Sequence, residues 1–379
     1  MFYLCGVGLA FFLDLLLLSK RKKTLPDKIL AGWLFFVTLH LLLFYFRKMW
    51  LYPELLGIEM PLPLVHGPFL YLYTLALTGR QLSWKVALLQ ALPFLAVIVY
   101  LIPFFSLPVE QKVFVFKNEG VGYEMFIVIK SFAIIASGVL YVFLSSIVLR
   151  KHRIAIVNQF SYTEKVNLDW LQYLIYWMGV IWLLVIFTND DWVLGAAVLF
   201  VLFIGFFGIR QAGIFHSPEI PLPDSKTEAI VTPPVEVDSI AESELPSEEE
   251  KPKYQKSGLS AEASETLHRQ LAEMMRDNRP YRESELSLSD LAALLNTQSN
   301  YLSRVINEKE GKNFYDYINT LRIEEFKRIA ESPESKKYTL LALAEQCGFN
   351  SKSSFNRYFK KVTGRSPSEF TSGSANSQN

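Results

Sequence analysis

Cysteine is nearly absent: Cys5 and Cys347 are the only two in a chain of 379 residues. Two cysteines exclude a disulfide framework and any Cys-rich metal site. One lies in the first apolar run and the other near the C-terminus, so no pairing between them is expected. Histidine is scarce as well, at five, and no His/Cys/Asp cluster has metal-ligand spacing. No glycine-rich phosphate loop is present. The apolar segments hold no Ser/His, paired-Asp or metal-ligand arrangement. These absences argue against an enzyme and require neither metal nor cofactor. Overall charge imbalance is missing too: 38 Lys+Arg against 37 Asp+Glu leave +1. That sum averages three unlike stretches.

Residues 1–216 are dominated by Leu, Phe, Val, Ile, Trp and Tyr. A spanning helix needs about 20 mostly apolar residues to cross roughly 30 Å of hydrocarbon. Seven runs are expected to span: 2–18, 29–46, 62–77, 86–105, 123–149, 168–187 and 192–209. The third is the shortest and carries Pro63, Gly67 and Pro68. Loop charge supports the count. With seven spans and the C-terminus inside, the inner loops hold Lys20, Arg21, Lys22, Lys23, Arg80, Lys85, Arg150, Lys151, Arg153 and Lys165, and the outer loops only Arg47, Lys48, Lys112 and Lys117. This agrees with the positive-inside bias. The positive charges follow the first run instead of preceding it, so that run is expected to anchor the chain, N-terminus outside, and not to be a cleaved signal. The longest outer loop runs only from about Ser106 to Gly122, so a signal must act on the bundle, its outer rim or a partner protein. Ionisable residues within spans are functional candidates. Here they are His66, Glu124 and Lys130, with Asp14 near the inner end of the first span, and for each of them structural pairing or snorkelling remains an open alternative.

Residues 217–257 hold ten acidic groups against four lysines, with repeated Pro and Ser. Such composition cannot bury enough apolar surface to fold. The stretch is expected to be a disordered acidic linker, reaching about 35 Å root-mean-square.

Residues 258–379 are near neutral, with 17 Lys+Arg and 16 Asp+Glu, and contain an internal repeat at a spacing of 53. Tyr301–Ile306 aligns with Ser354–Phe359, Gly311-Lys312 with Gly364-Arg365, and Tyr317 with Phe370. A repeated supersecondary unit follows. Each copy reads as helix, tight turn, helix. Ser287 and Asp290 form a capping box for a helix over 288–295, a turn at 296–298 follows, and a second helix runs over 299–307. In the later copy a helix over 340–346 ends at Gly348, suited to a left-handed C-terminal turn, and Ser351 caps the next helix. Leu302, Val305 and Ile306, then Phe355, Phe359 and Val362, form inward stripes. Opposite them stand Asn300, Ser303, Arg304 and Asn307, and in the second copy Ser353, Asn356, Arg357 and Lys360. Both sets follow an i, i+3, i+4, i+7 spacing, one polar strip per helix. Arg, Asn, Ser and Lys are the side chains that read base edges and grip phosphates in the major groove. An amphipathic helix from Phe314 connects the units, burying Phe314, Tyr317, Ile318, Leu321 and Phe326, and could set the two polar faces about 34 Å apart.

The segments Leu-Ser-Asp-Leu-Ala from Leu288, Asn-Tyr-Leu-Ser-Arg from Asn300, Gly-Lys-Asn-Phe-Tyr-Asp-Tyr-Ile-Asn-Thr-Leu-Arg-Ile-Glu from Gly311 and the long run from Cys347 to Phe370 resemble the AraC/XylS-type DNA-binding domain. The resemblance implies sequence-specific transcription control, with base contacts from Ser299, Asn300, Ser303 and Arg304, then Lys352, Ser353, Asn356 and Arg357. Thr297 and Gln298 depart from it, standing where an apolar turn residue and a small cap are usual. The N-terminal half is similar in architecture to a bacterial subgroup of such regulators with a seven-helix membrane domain. The expected fold is all-α: a polytopic bundle of seven spans (1–216), the linker (217–257), a soluble tandem helix-turn-helix domain (258–371) and a disordered tail (372–379). Expected partners are double-stranded promoter DNA, membrane lipid, RNA polymerase, an unidentified signal ligand or partner protein, and a second copy of the chain. The competing expectation is a membrane sensor or transporter whose C-terminal helices contact protein.

Overall fold

Long runs of Leu, Phe, Val and Ile, separated by short polar breaks, leave the first half few options other than helix. A computed structural model describes residues 2–163, 168–210 and 260–376. It is helical throughout, with no named strand among the described residues. The linker at 217–257 lies outside them. Residues 153–163 group with 260–376, and the remainder of the N-terminal half is a separate unit.

The N-terminal unit contains α1 (Phe2–Ser19), α2 (Leu25–Met49), α3 (Pro63–Leu77), α4 (Trp84–Phe105), α5 (Val109–Lys117), α7 (Asp169–Phe187), α8 (Asp190–Arg210) and most of α6 (Glu124–Gln159). Local chemistry sets the ends. Thr24 and Asp27 cap α2 reciprocally, and Pro26 suits its first turn. α1 packs on α2 and α8, α2 on α3, α3 on α4, and α7 on α8. One continuous core joins Leu13 and Leu17 of α1, Trp33 and Leu41 of α2, Leu171 and Met178 of α7, and Val198 and Val201 of α8. Gly138 of α6 faces the Trp182 ring so closely that an added Cβ would sit 2.1 Å from it. The small residue is what admits the indole.

Five of these helices, α2, α4, α6, α7 and α8, are long and apolar enough to cross a membrane. The expected count of seven is not reached by length: the apolar helix Tyr3–Ser19 is shorter, and α3 has 15 residues. At 1.5 Å per residue α3 reaches about 22 Å, short of roughly 30 Å. Proline explains part of this, since α3 starts at Pro63 and carries Pro68 within. α5 occupies what reads in the sequence as an outer loop. α6, at 36 residues, continues ten past the expected end at Leu149. α4 hides little of itself. Only 6% of its apolar window is buried, and Leu88, Leu89, Leu92, Val99 and Ile102 are exposed.

The C-terminal unit contains α9 (Ala261–Asp277), α10 (Leu288–Leu294), α11 (Ser299–Glu310), α12 (Phe314–Ala330), α13 (Leu340–Gln346), α14 (Lys352–Thr363) and α15 (Pro367–Asn376). α15 thus runs into residues 372–376, where a disordered tail was expected; 377–379 lie outside the described residues. α12 is the spine. Its Phe314, Tyr317 and Ile318 enter a core with α9, α10 and α11, while its Tyr315, Ile323 and Phe326 enter a second core with α13 and α14.

Candidate functional site

The local signals that shape the two helix pairs are all in place. Ser287 accepts from the Asp290 amide at 3.2 Å and Asp290 returns the bond to the Ser287 amide at 3.0 Å, starting α10. Asn296 turns the chain with φ 51°. In the second pair Gly348 has φ +95°, and a Cβ there would lie 2.6 Å from the Tyr281 carbonyl oxygen, so glycine is required twice over. Ser351 caps α14 through the Ser354 amide at 3.1 Å. Gln298, at the matching position of α11, makes no side-chain cap bond.

Leu302, Val305 and Ile306 are 0% exposed, so α11 is seated despite its weak cap. In α14 Phe355 and Phe359 are buried as expected, but Val362 is 39% exposed and Tyr358 takes its place in the core. The helix has run past the core by its last turn. On the outward faces, Asn300, Arg304 and Asn307 of α11 and Lys352, Ser353, Asn356, Arg357 and Lys360 of α14 are exposed, while Ser299 and Ser303 are half-buried. Some are engaged. Arg304 Nε donates to Glu308 at 2.7 Å, Asn307 Nδ2 donates to the Ser303 carbonyl at 2.8 Å, and Arg357 Nη2 donates to Thr163 Oγ1 at 3.4 Å. Each helix therefore offers one hydrophilic strip backed by a mainly apolar one.

Behind these strips lies a polar socket that no local pattern announces. Arg322 of α12 is 1% exposed. Its guanidinium donates to the carbonyls of Tyr281 (2.6 Å), Glu283 (2.6 Å) and Ser161 (3.2 Å), and to Ser161 Oγ (3.1 Å). Asn319 Nδ2 also donates to the Ser161 carbonyl at 3.0 Å, and the Ser161 amide and hydroxyl donate to the Leu286 carbonyl at 3.1 and 2.7 Å. The segment following α6 in the chain is thereby held against the helix-turn-helix region. A buried guanidinium needs such a complete set of acceptors. Beside it Glu325 meets three arginines: Arg328 donates at 2.9 and 3.0 Å, Arg279 at 3.2 Å, and Arg282 closely. The bonds from Arg328, joined by those from Arg282, hold its carboxyl far below the usual range, at about 2, against the opposing effect of burial.

Two of the three signal candidates come together. His66 and Lys130 both line a cavity of about 330 Å3 inside the N-terminal unit. Glu124 does not join them: it is exposed and accepts from the Gly122 amide at 2.8 Å, at the start of α6. His40, Arg47 and Trp182, which also line the cavity, escape sequence reading because α2, which carries the first two, and α7, which carries the third, are far apart in the chain. No group of three or more His, Cys, Asp or Glu side chains among the described residues could hold a metal ion.

Residues 291–373 match the family described as "Helix-turn-helix domain". Among curated proteins the chain is similar to the Msm operon regulatory protein of Streptococcus mutans, 28% identical over 87 residues, covering 23% of this chain and 30% of that protein. It is also similar to the uncharacterized HTH-type transcriptional regulator YobQ of Bacillus subtilis, 35% identical over 82 residues, covering 22% and 33%. An uncharacterized HTH-type transcriptional regulator of Staphylococcus aureus is 34% identical over 86 residues, covering 23% and 11%. The chain thus spans a third or less of the length of these relatives. No solved structure matches it. Two helix pairs sharing one spine helix, and the family match laid over them, make the C-terminal part of this chain an AraC-type helix-turn-helix domain.

Proposed function

We propose that this chain is a sequence-specific DNA-binding transcription regulator anchored in a bacterial cell membrane by its N-terminal helices, which pass a signal to the C-terminal domain. One observation carries the DNA-binding reading: α11 and α14 each present an exposed Asn/Arg/Ser/Lys strip on a helix whose other face is buried in a core shared through α12. Asn300, Ser303, Arg304, Lys352, Ser353, Asn356 and Arg357 read bases, with Ser299, Asn307 and Lys360 beside them on the same surface. The domain's near-neutral charge gives weak non-specific attraction to phosphates, so pairing of two copies raises occupancy at a promoter. Support for the membrane comes from the five long apolar helices and the exposed apolar face of α4, a surface that water does not favour. The contact of residues 160–163 with α12 and α14 supports coupling, since this segment leaves α6 directly.

The test is selection of genomic fragments by the full chain in lipid nanodiscs, followed by footprinting. A preferred site is expected, and Arg357→Ala should weaken it by about 1–3 kcal/mol while leaving scrambled duplex unaffected. A folded chain that shows no preference among sequences overturns the reading in favour of protein contacts.

A further inference from the structure

The cavity in the N-terminal unit has a specific polar imbalance. It is lined by residues of α2, α3, α5, α6, α7 and α8, with Trp33, Phe44 and Phe200 among its apolar walls. Its two carboxylates are already committed. Asp190 accepts from Arg47 Nη2 at 2.7 Å, and Glu59 accepts from the Gly57 amide at 3.1 Å and lies 3.3 Å from Arg47 Nε as an ion pair. What remains is donors. Arg47 Nε and Trp182 Nε1 are buried and make no hydrogen bond among the described residues. Lys130 extends from α6 into the same space, where it makes no hydrogen bond or ion pair among the described residues and feels the longer-range attraction of Asp190 and Glu59.

The histidines add a fourth donor. Trp33 Nε1 lies 3.3 Å from His66 Nδ1, and His66 Nε2 lies 3.0 Å from His40 Nδ1. An indole N–H can only donate, so His66 Nδ1 accepts and its proton sits on Nε2. That proton is donated to His40 Nδ1, which leaves the His40 proton on Nε2. The relay is therefore neutral and ends in an N–H on a residue lining the cavity. The four donors belong to residues that line one mainly apolar chamber of a size typical for small-molecule sites, and a group with only acceptor oxygens satisfies them best.

We infer that this cavity binds a small organic carboxylate with an apolar body, its head taken by Lys130, Arg47, Trp182 and His40. That the bound acid serves as the signal rests on the regulator reading above; its binding does not. All seven tryptophans lie between positions 33 and 192, so intrinsic fluorescence reports on the N-terminal half alone. The experiment titrates the full chain in nanodiscs with 3-phenylpropionate, octanoate and cyclohexylacetate, and with the matching primary amides. Saturable quenching or enhancement is expected with at least one acid, with its amide weaker by about tenfold or more. Lys130→Gln should weaken that acid about tenfold or more, and Lys130→Arg should retain it. Trp182→Phe, which removes one donor and keeps an aromatic ring, supplies a second variant if Lys130→Gln does not fold, and it too should bind more weakly. No saturable response to any acid, equal response to acid and amide, or wild-type binding by both the Lys130→Gln and Trp182→Phe variants overturns the site. Footprinting on the same nanodiscs separates the two readings: acid binding without any preferred DNA site removes the regulator and leaves the cavity assigned, whereas a preferred DNA site without acid binding does the reverse.

Discussion

At the scale of single residues, Glu325 shows how one buried charge ties loop to helix. It sits on α12 and is 5% exposed, with arginines 279 and 282 reaching it from the turn after α9. Its carboxyl titrates near 2 in the folded chain against an ordinary 4.5, the bonds from Arg328 being the largest cause. A depressed folded value means the unfolded chain takes up the proton first. The stabilisation is therefore complete above about pH 4.5 and is lost as pH falls from there toward 2. Allowing for the half-exposed arginines, it amounts to about 2 kcal/mol. Pulse proteolysis of the C-terminal domain in urea should show Glu325→Gln less stable than wild type by that amount at pH 7, with the gap closing toward pH 2. A gap that persists at pH 2 assigns the loss to packing instead of charge.

At the scale of elements, what was legible in the sequence is what short-range chemistry dictates. Ser287 with Asp290, Asn296, Gly348 and Ser351 are cap and turn residues whose partners lie within a few positions, and each performs as read. Leu302, Val305 and Ile306 follow from helical period alone. The misses have physical causes too. α9 carries its buried Leu267, Leu271 and Met275 at helical spacing, so a period search would find it, but no motif pointed there. Val362 fits the period of α14 as well as Tyr358 does; only the length of the underlying core decides between them. The Ser161–Arg322 socket joins residues 161 positions apart, beyond any local pattern, and the cavity needs helices that only the folded bundle assembles. For the socket the expected outcome is concrete. Ser161→Ala removes only the hydroxyl, depriving Arg322 Nη2 of an acceptor and the Leu286 carbonyl of a donor, at a cost of about 1–3 kcal/mol. Amide exchange at position 161, and across 319–322, should quicken about tenfold or more. Unchanged exchange would mean the segment is held by Phe160 and Val157 packing and not by these bonds.

At the scale of the whole chain, several of the loop charges find acidic partners in the folded bundle. Of the four basic residues assigned to outer loops, Arg47 is paired with Asp190 and Glu59, and Lys48 with Asp191, so half of that charge is cancelled. At the α1–α2 turn Lys20 has Asp27, while Arg21, Lys22 and Lys23 stay exposed. The expected orientation still rests on the count of Lys and Arg, because acidic partners weigh little in that bias. In a chain with Cys5 replaced by Ser, a membrane-impermeant thiol reagent applied to intact cells should label Asn118→Cys and not Lys22→Cys; the opposite pattern would invert the orientation. One further result follows from a modest contact already described, the 3.4 Å bond between Arg357 and Thr163. On the proposed reading, a guanidinium turned toward Thr163 is not aligned for a two-bonded contact with a guanine edge, so nucleic acid and residues 160–163 would compete for it. Reciprocity of linked equilibria then works in both directions: the factor by which a tethered Thr163 loosens the duplex is the factor by which the duplex loosens Thr163, and a long, weak bond keeps that factor small enough to be reversed.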